Sequence, residues 1–418
     1  MTELLAVGDL HLGRSPAALH PDLQHRRAEL GPEATWARCV ALAIEQDVDA
    51  VLLAGDVVER SRDLLVAYGD LKRGVERLEA ASIPVLAVAG NHDTLVLPRL
   101  ADEIPGLELL GAGGRWQERS VGELSILGWS FPRTHVRQNP LDTMPTPDRP
   151  KQTIGLLHCD VDQADSPYAP VTSAGLKSAG LAAWLLGHIH QPSRLEVAQP
   201  IGYLGSVTAL RASDTGPRGP WRVSFKHQKL SAVHQALAPL RFDSVDIDVS
   251  QLEAPNQLGE AILAAARGHI AELRDSNFLP DVVGLRLVLT GRCTFETDLP
   301  ATIDDLLSNA RPWQEGPIHV FVQKISIETH PALDLQRLAR QEDPCGLLAR
   351  RLLILNDLAH PEHETLIAQA RPALAAVAGQ KEFRHLDPPL DDHQIRLWLR
   401  DAGRIALNQL LDQKRSAK

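Results

Sequence analysis

Five short polar stretches along this 418-residue chain carry side chains able to bind a metal ion: Asp9-Leu10-His11, Gly55-Asp56, Gly90-Asn91-His92-Asp93, His158 and Gly187-His188-Ile189-His190. Carboxylate, imidazole and amide-oxygen donors without a thiolate suit a hard to borderline dication. In an extended strand end, residues two apart point the same way, so Asp9 with His11, and His188 with His190, can each converge on one point. The donors Asp9, His11, Asp56, Asn91, His158, His188 and His190 exceed what one tetrahedral ion takes. They match two adjacent ions sharing a bridging carboxylate. Two ions roughly 3.5–4 Å apart clamp the attacking and leaving oxygens of a phosphoryl transfer and make water a nucleophile near neutral pH. One Asp-x-His alone is usually a solvated loop; all five stretches in order point to phosphoryl chemistry.

The elements around these stretches repeat one plan. Leu4–Val7, Asp49–Leu53, Pro84–Val88, Thr153–Leu157 and Ala182–Leu186 are apolar runs expected to be buried strands, each ending at once in a polar stretch. Helical patterns (Ala34–Glu45 and Leu64–Ala81) separate the first three. Continuous apolar strands are those of α/β folds, where ligands gather at the carboxyl ends of strands. Five strands are therefore expected to deliver donors to one edge. The stretch Asp214–Pro220 reads as a turn joining the last strands of this domain. Beyond it a β-α-β-α-β run follows: Val245–Val249, Leu258–Arg274, Val282–Thr290, Ala301–Ala310 and Ile318–Ile327. Helical patterns then occupy Leu333–Ile354, Glu362–Val377 and Asp392–Lys414. The domains expected are 1–235, holding the metal-binding stretches; 236–330, a small α+β domain; and 331–418, helical.

Composition narrows the rest. Apolar residues make up 44% and charged residues 23%, the balance of a globular enzyme rather than a disordered chain. No apolar stretch approaches the roughly 18–20 residues that span a bilayer. Met1–Leu12 has neither a basic segment nor a cleavable apolar run, and the four cysteines form no CxxC pair. A cytoplasmic protein with reduced thiols and no membrane association is expected. The net charge of −10 divides into −4 over residues 1–235 and −6 over 236–418. Neither half is the basic body that holds nucleic acid by bulk electrostatics.

The order DxH(LG), GD, GNHD, H, GHxH resembles that of the calcineurin-like metallophosphoesterases. Asp9-Leu10-His11-Leu12-Gly13 is similar to their DNA-repair branch, the SbcD-type nuclease subunits. Leu156-Leu157-His158 with Ser166-Pro167-Tyr168-Ala169-Pro170 looks most like the bacterial YhaO-type exonucleases. Gly202-Tyr203-Leu204-Gly205-Ser206 resembles the Y-P-G-S element after the final histidines, with Leu204 in place of proline. The resemblance covers residues 1 to about 225. It implies a metallophosphoesterase β-sandwich flanked by helices, a small α+β cap domain and a C-terminal helical region. It also implies two divalent ions, Mn2+ by expectation. Asp9, His11 and His190 would serve the first ion and Asn91, His158 and His188 the second, with Asp56 bridging. His92 would then be no ligand but the group that stabilises the phosphorus centre or protonates the leaving oxygen. Many relatives place an aspartate three residues after the Gly-Asp pair; here it is Glu59, expected to orient His92.

The function the resemblance implies is a two-metal DNA nuclease, a 3′–5′ exonuclease/endonuclease at double-stranded ends. It would act in repair as a homodimer with an SbcC-like coiled-coil ATPase. Two alternatives stand beside it. One is a phosphodiesterase or phosphatase on small nucleotides, against which nearly 200 residues beyond the catalytic part argue. The other is an adaptor for an ATPase with a vestigial site, against which the intact Asp9, Asp56, Asn91, His92 and His188 argue. In Asp392–Lys414, Ile395, Trp398, Leu399, Ala402, Ile405, Ala406 and Leu410 fall at helical spacing, an apolar face expected to meet the ATPase.

Overall fold

Alternation along β1 (Thr2–Val7) explains the layering around it: Leu5 and Val7 enter one core, Leu4 and Ala6 the other. Parallel to β1 lie β2 (Ala50–Leu53), β3 (Val85–Ala87) and β4 (Leu107–Leu109). A second sheet, β5 (Trp116–Val121), β6 (Leu124–Trp129), β7 (Thr153–His158), β8 (Ala183–Gly187) and β9 (Ile201–Tyr203), runs in that spatial order with only β5 antiparallel. The hairpin β10 (Trp221–Lys226) and β11 (Lys229–His234) returns to the first sheet, β10 antiparallel to β1. The two sheets share a core of Leu4, Leu52, Leu86, Ile126, Leu156 and Leu185. The short α1 (Arg27–Leu30) leads into α2 (Pro32–Glu45), and α3 (Leu64–Ala80) and α4 (Leu97–Glu103) follow. Trp36, Val40, Leu71, Val75 and Leu97 from α2, α3 and α4 cover the outer face of the first sheet. α2 starts where Gly31 leaves the extended conformation and Pro32 takes the first turn, a position whose N–H needs no partner. Leu176 of α5 (Ser173–Ser178) joins Trp184 and Leu186 on the outer face of the second sheet.

The third sheet has the order β12-β13-β16-β15, from β12 (Leu240–Asp248), β13 (Val282–Thr290), β15 (Trp313–Glu315) and β16 (Ile318–Ile327). Its helices are α6 (Leu258–Arg274) and α7 (Leu299–Asn309), and β14 (Arg292–Cys293) pairs with β17 (His330–Pro331). Phe242, Val282 and Phe321 of this sheet bury Leu19, Leu23 and Leu30, the segment that follows the first metal-binding stretch. The last helices are α8 (Leu335–Leu338), α9 (Pro344–Asn356), α10 (His363–Ala378) and α11 (Asp392–Ser416).

The computed structural model describes residues 1–16, 18–274, 278–331, 335–378 and 391–416. They divide into two units: Met1–Ile247 with Gly259–Val288 and Ile303–Ser326, and Asp248–Leu258 with Leu289–Thr302 and Ile327–Lys418. Among the described residues no helix is long and apolar enough to cross a membrane.

Three expectations change. The five donor-bearing strands belong to two sheets, β1, β2 and β3 to one and β7 and β8 to the other, so the donors meet across two facing edges. The helix expected over Leu333–Ile354 is broken, because the Asp343 side chain caps a fresh start at Pro344 by accepting from Gly346 N at 2.8 Å; its first two residues lie outside the described residues. The expected apolar face of α11 is used only in part within its own unit, and the buried anchor of the helix there, Leu407, lies outside that face. Leu407 packs with Leu352 and Ala349 of α9, Ile395 is buried, and Ile405 is 61% exposed.

Candidate metal centre

The polar stretches leave their strands through backbone that is itself unusual. Asp9 (φ 39°), His11 (φ 53°), Asp56 (φ 49°) and His188 (φ 107°) are non-glycine residues at positive φ. Such positions cost on the order of 1–3 kcal/mol each and persist where the surroundings hold them. Here the loops hold one another. His11 N donates to Asp56 O at 2.9 Å, Leu12 N to Val57 O at 2.8 Å, and Ala54 N to Val7 O at 3.0 Å. His188 N donates to Asp9 Oδ1 at 2.9 Å, and His92 N to Asp56 Oδ1 at 2.9 Å.

This lacing brings the expected donors together in two groups. Asp9, His11 and His190 place one donor atom each within 4.8 Å of one another, and so do Asp56, His158 and His188. Asn91 Oδ1 lies 3.0 Å from His158 Nε2 and 3.1 Å from His188 Nδ1, and those two nitrogens are 3.2 Å apart. Asp56 Oδ2 stands 3.4 Å from His158 Nε2 and 3.9 Å from His11 Nε2, within reach of both groups. Whether these residues suit divalent cations can be judged from what they leave unmatched. The buried Nε2 of His11 has no hydrogen-bond partner. Three lone-pair atoms, from Asn91, His158 and His188, converge on one another, and Asp9 and Asp56 are buried carboxylates. Uncompensated, such burial is costly; a dication between the groups would satisfy every one of them. The donor set fits.

Each imidazole is also held from behind. His158 Nδ1 donates to Ala54 O at 3.1 Å, which leaves the Nε2 lone pair facing inward. Glu59 Oε2 lies 2.8 Å from His11 Nδ1, Asp160 Oδ1 3.3 Å from His188 Nε2, and Asp214 Oδ2 3.8 Å from His190 Nδ1. Burial and the neighbouring Asp56 push the Asp9 carboxyl well above the usual carboxylate range. For Asp56 burial acts in the same direction, but His158, His11 and His92 outweigh it and hold that carboxyl low. Burial, then Asp56, pushes Asp93 up to about 8, although its carboxylate accepts from Val57 N at 2.6 Å and Gly90 N at 2.8 Å. Burial, then His158, takes His188 down to about 4, so the imidazole is neutral and one of its ring nitrogens has a lone pair for a cation.

His92 stands apart. Its ring meets that of His11 edge-on at 5.2 Å, its Nδ1 is 2.9 Å from Glu59 O, and its side chain is 40% exposed. Nε2 lies 4.0 Å from Asp56 Oδ2, on the open side of the centre. The expectation for Glu59 needs correcting here. The main-chain carbonyl of Glu59 orients His92, whereas its carboxylate turns to His11 and to Arg14 Nη1 at 3.3 Å.

Three supporting residues escape a reading of the sequence. Asp160 follows His158 by two positions, a spacing that could have marked it. Asp214 and Arg218 sit in the Asp214–Pro220 turn, where nothing local distinguishes them. Arg218 is buried and donates to His190 O, to Gln191 Oε1 at 3.0 Å and to Thr215 O at 3.0 Å, fixing the last histidine loop. Leu204, at the position where proline was the pattern, is buried in the inter-sheet core, its N–H on Leu186 O at 2.8 Å. Gly55 has φ +88°, and a Cβ there would meet His158 Nδ1 at 2.6 Å. Gly55→Ala is therefore expected to displace His158 and to lower Mn2+ affinity by on the order of 10–100-fold with the fold retained; equilibrium dialysis beside a far-ultraviolet circular dichroism spectrum checks it.

Residues 2–192 match the calcineurin-like phosphoesterase family, and residues 242–330 match the middle domain of metallophosphoesterase YhaO. The metallophosphoesterase YhaO of Bacillus subtilis is 28% identical over 296 residues, 68% of this chain and 71% of that protein. The DNA double-strand break repair protein Mre11 of Haloferax volcanii is 28% identical over 60% of this chain, and that of Aeropyrum pernix 29% identical over 52%. The alignments span 55% and 56% of those two proteins. The first match holds β1 to β8 and leaves out β9 and the hairpin β10–β11, and the second holds nearly all of the third sheet; over these residues the chain carries a calcineurin-like metallophosphoesterase domain followed by a YhaO middle domain.

Proposed function

We propose that this chain is a two-metal phosphodiesterase that hydrolyses DNA at double-stranded ends. The observation that carries the reading is the convergence of seven donors with His92 beside them, its Nδ1 on the Glu59 carbonyl and its Nε2 4.0 Å from Asp56 Oδ2. Asp9, His11 and His190 would hold one ion, Asn91, His158 and His188 the other, and Asp56 would reach both. Bound there, two divalent ions, taken here as Mn2+, supply positive charge to the phosphoryl oxygens and acidify water. The chain's own residues do the rest. The Glu59 carbonyl accepts from His92 Nδ1–H, which fixes the ring; in the imidazolium form His92 also carries an Nε2–H, and the neutral Nδ1–H tautomer held by that carbonyl is what remains once the Nε2 proton is given up. As water forms its bond to phosphorus and the ester bond breaks, His92 Nε2 gives its proton to the departing 3′ or 5′ oxygen. Glycines 55 and 90 keep the backbone close enough for His158 and Asp56 to sit between the two sheets.

The Mre11 relatives are named for double-strand break repair. That supports DNA over a small nucleotide, and the residues beyond the matched phosphoesterase region have no use for a small substrate. The acidic chain favours a partner that grips DNA, for which a coiled-coil ATPase of the SbcC kind is the choice, with the nuclease as a homodimer. The domains are then 1–235 for catalysis, 236–330 as a cap on the substrate and 331–418 for docking. Leu348, Leu352, Leu355, Leu366, Leu399 and Ala402 line a cavity of about 320 Å3 among α9, α10 and α11, which would take an apolar side chain of the partner helix.

Purified protein with Mn2+ is to be assayed on blunt duplex, hairpin and single-stranded DNA beside bis(p-nitrophenyl) phosphate. Cleavage of duplex ends supports the reading; turnover of the small diester without any DNA cleavage overturns it. If the ATPase docks as proposed, Ala402→Glu lowers the ratio of ATP-stimulated to basal cleavage by on the order of 10-fold, and an unchanged ratio refutes the docking site.

A further inference from the structure

We infer that the Glu59 carboxylate is the positioning residue for His11, and so tunes the first of the two ion sites instead of acting on His92. The inference rests on the two-ion reading and adds a residue to it. Glu59 is buried, with Oε2 2.8 Å from His11 Nδ1 and 3.3 Å from Arg14 Nη1, and with Oε1 3.8 Å from Arg60 Nε. Only the main-chain oxygen of Glu59 meets His92 Nδ1. One residue thus serves two histidines through two different groups, and the two services can be separated by substitution.

The chemistry follows from the two nitrogens of His11. A carboxylate oxygen 2.8 Å from Nδ1 favours the proton on that nitrogen and leaves the Nε2 lone pair, 3.9 Å from Asp56 Oδ2, for an ion. It also makes Nε2 a stronger donor, and losing such a partner typically costs 10–100-fold in metal affinity. Arg14, two residues past Leu12 in the same loop, grips the same carboxylate oxygen and keeps it from swinging out to solvent. Length matters as well. Glu59 reaches His11 from the loop after β2, and an aspartate, shorter by one C–C bond of about 1.5 Å, would fall short of a 2.8 Å contact.

The test is Mn2+ binding by isothermal titration calorimetry on the full chain, with His190→Ala and His188→Ala marking which binding event belongs to which group. Glu59→Ala and Glu59→Asp are each expected to weaken by 10–100-fold the event that His190→Ala removes, and to spare the one that His188→Ala removes. Glu59→Gln, which keeps a neutral acceptor in place, loses less. Imidazole 1H–15N spectra of the metal-free protein give a readout that needs no ion: His11 Nδ1–H is slow to exchange in the wild type and fast in Glu59→Ala. Unchanged affinity at both sites, weakening of the His188-dependent event alone, or an unaltered His11 signal overturns the inference. A wild-type chain that binds fewer than two Mn2+ defeats the two-ion reading, and the His11 signal then still decides the role of Glu59.

Discussion

Replacing Asp56 with alanine is expected to cost the protein both ions and to lower turnover by on the order of 10⁴-fold. The reason is positional. Its Oδ2 is 3.4 Å from His158 Nε2 in one group of donors and 3.9 Å from His11 Nε2 in the other. Other donors belong to a single group, so His11→Ala is expected to weaken chiefly one ion. Metal analysis of desalted variants decides between the two patterns, and full two-ion occupancy in Asp56→Ala would refute the bridging role. The same carboxylate burdens the chelator-treated protein, because it raises the proton affinity of both Asp9 and Asp93 inside the fold. Asp56→Asn keeps an acceptor for His92 N and removes that charge. Its melting temperature in chelator should therefore rise above wild type, by roughly 2–4 °C for each kcal/mol of repulsion relieved, while the gain that Mn2+ gives the wild type disappears. A melt in which Asp56→Asn is less stable than wild type under chelator would show that the hydrogen-bond network outweighs the repulsion.

His92→Ala is expected to do the opposite: both ions stay and kcat falls by roughly 10²–10⁴-fold. The ring is the open-side member of the centre, 40% exposed, with Nδ1 committed to the Glu59 carbonyl and Nε2 4.0 Å from Asp56 Oδ2. A group that gives its proton only as the ester bond breaks contributes to the transition state and little to ground-state binding, so KM should change much less than kcat. The assay discriminates further by leaving group. An ester of p-nitrophenol departs without needing a proton, so the defect should shrink on it relative to DNA, whose alkoxide must be protonated. Loss of metal together with activity would make His92 a ligand; equal defects on both substrates would remove it from proton transfer.

Much of this was legible because strands and polar ends alternate in the sequence. Leu258–Arg274, Val282–Thr290 and Ile318–Ile327 form with the bounds their periodicity gives, and β1, β2, β3, β7 and β8 fall within two residues of theirs. Each donor was found because a buried apolar run makes the following Asp or His conspicuous. Two things were hidden. Apolar runs do not say which sheet they enter, so the split of the donor strands between two sheets was invisible. Nor does spacing report which atom of a residue is used. Glu59 sits three positions after Asp56 as expected, yet its carbonyl and its carboxylate serve different histidines. Asp214 and Arg218 were missed because their partners lie far off in sequence.

The donors come from facing edges of two sheets whose shared core is otherwise a layer of aliphatic side chains with no direction of its own. Asp9 and His11 follow β1 and Asp56 follows β2, while His158 ends β7 and His188 and His190 follow β8. A pair of ions bound there would work as a clasp. It would add metal–ligand bonds to the hydrogen bonds from His188 N to Asp9 and from His158 Nδ1 to Ala54 O that already cross between the two lips of the sandwich. Its grip is adjustable by concentration, each site adding about 2.7 kcal/mol when free metal stands at 100 times its dissociation constant. The mouth of this enzyme would therefore stiffen or slacken with the metal supply of its surroundings, and the supply that permits catalysis is also what closes the seam on which catalysis depends.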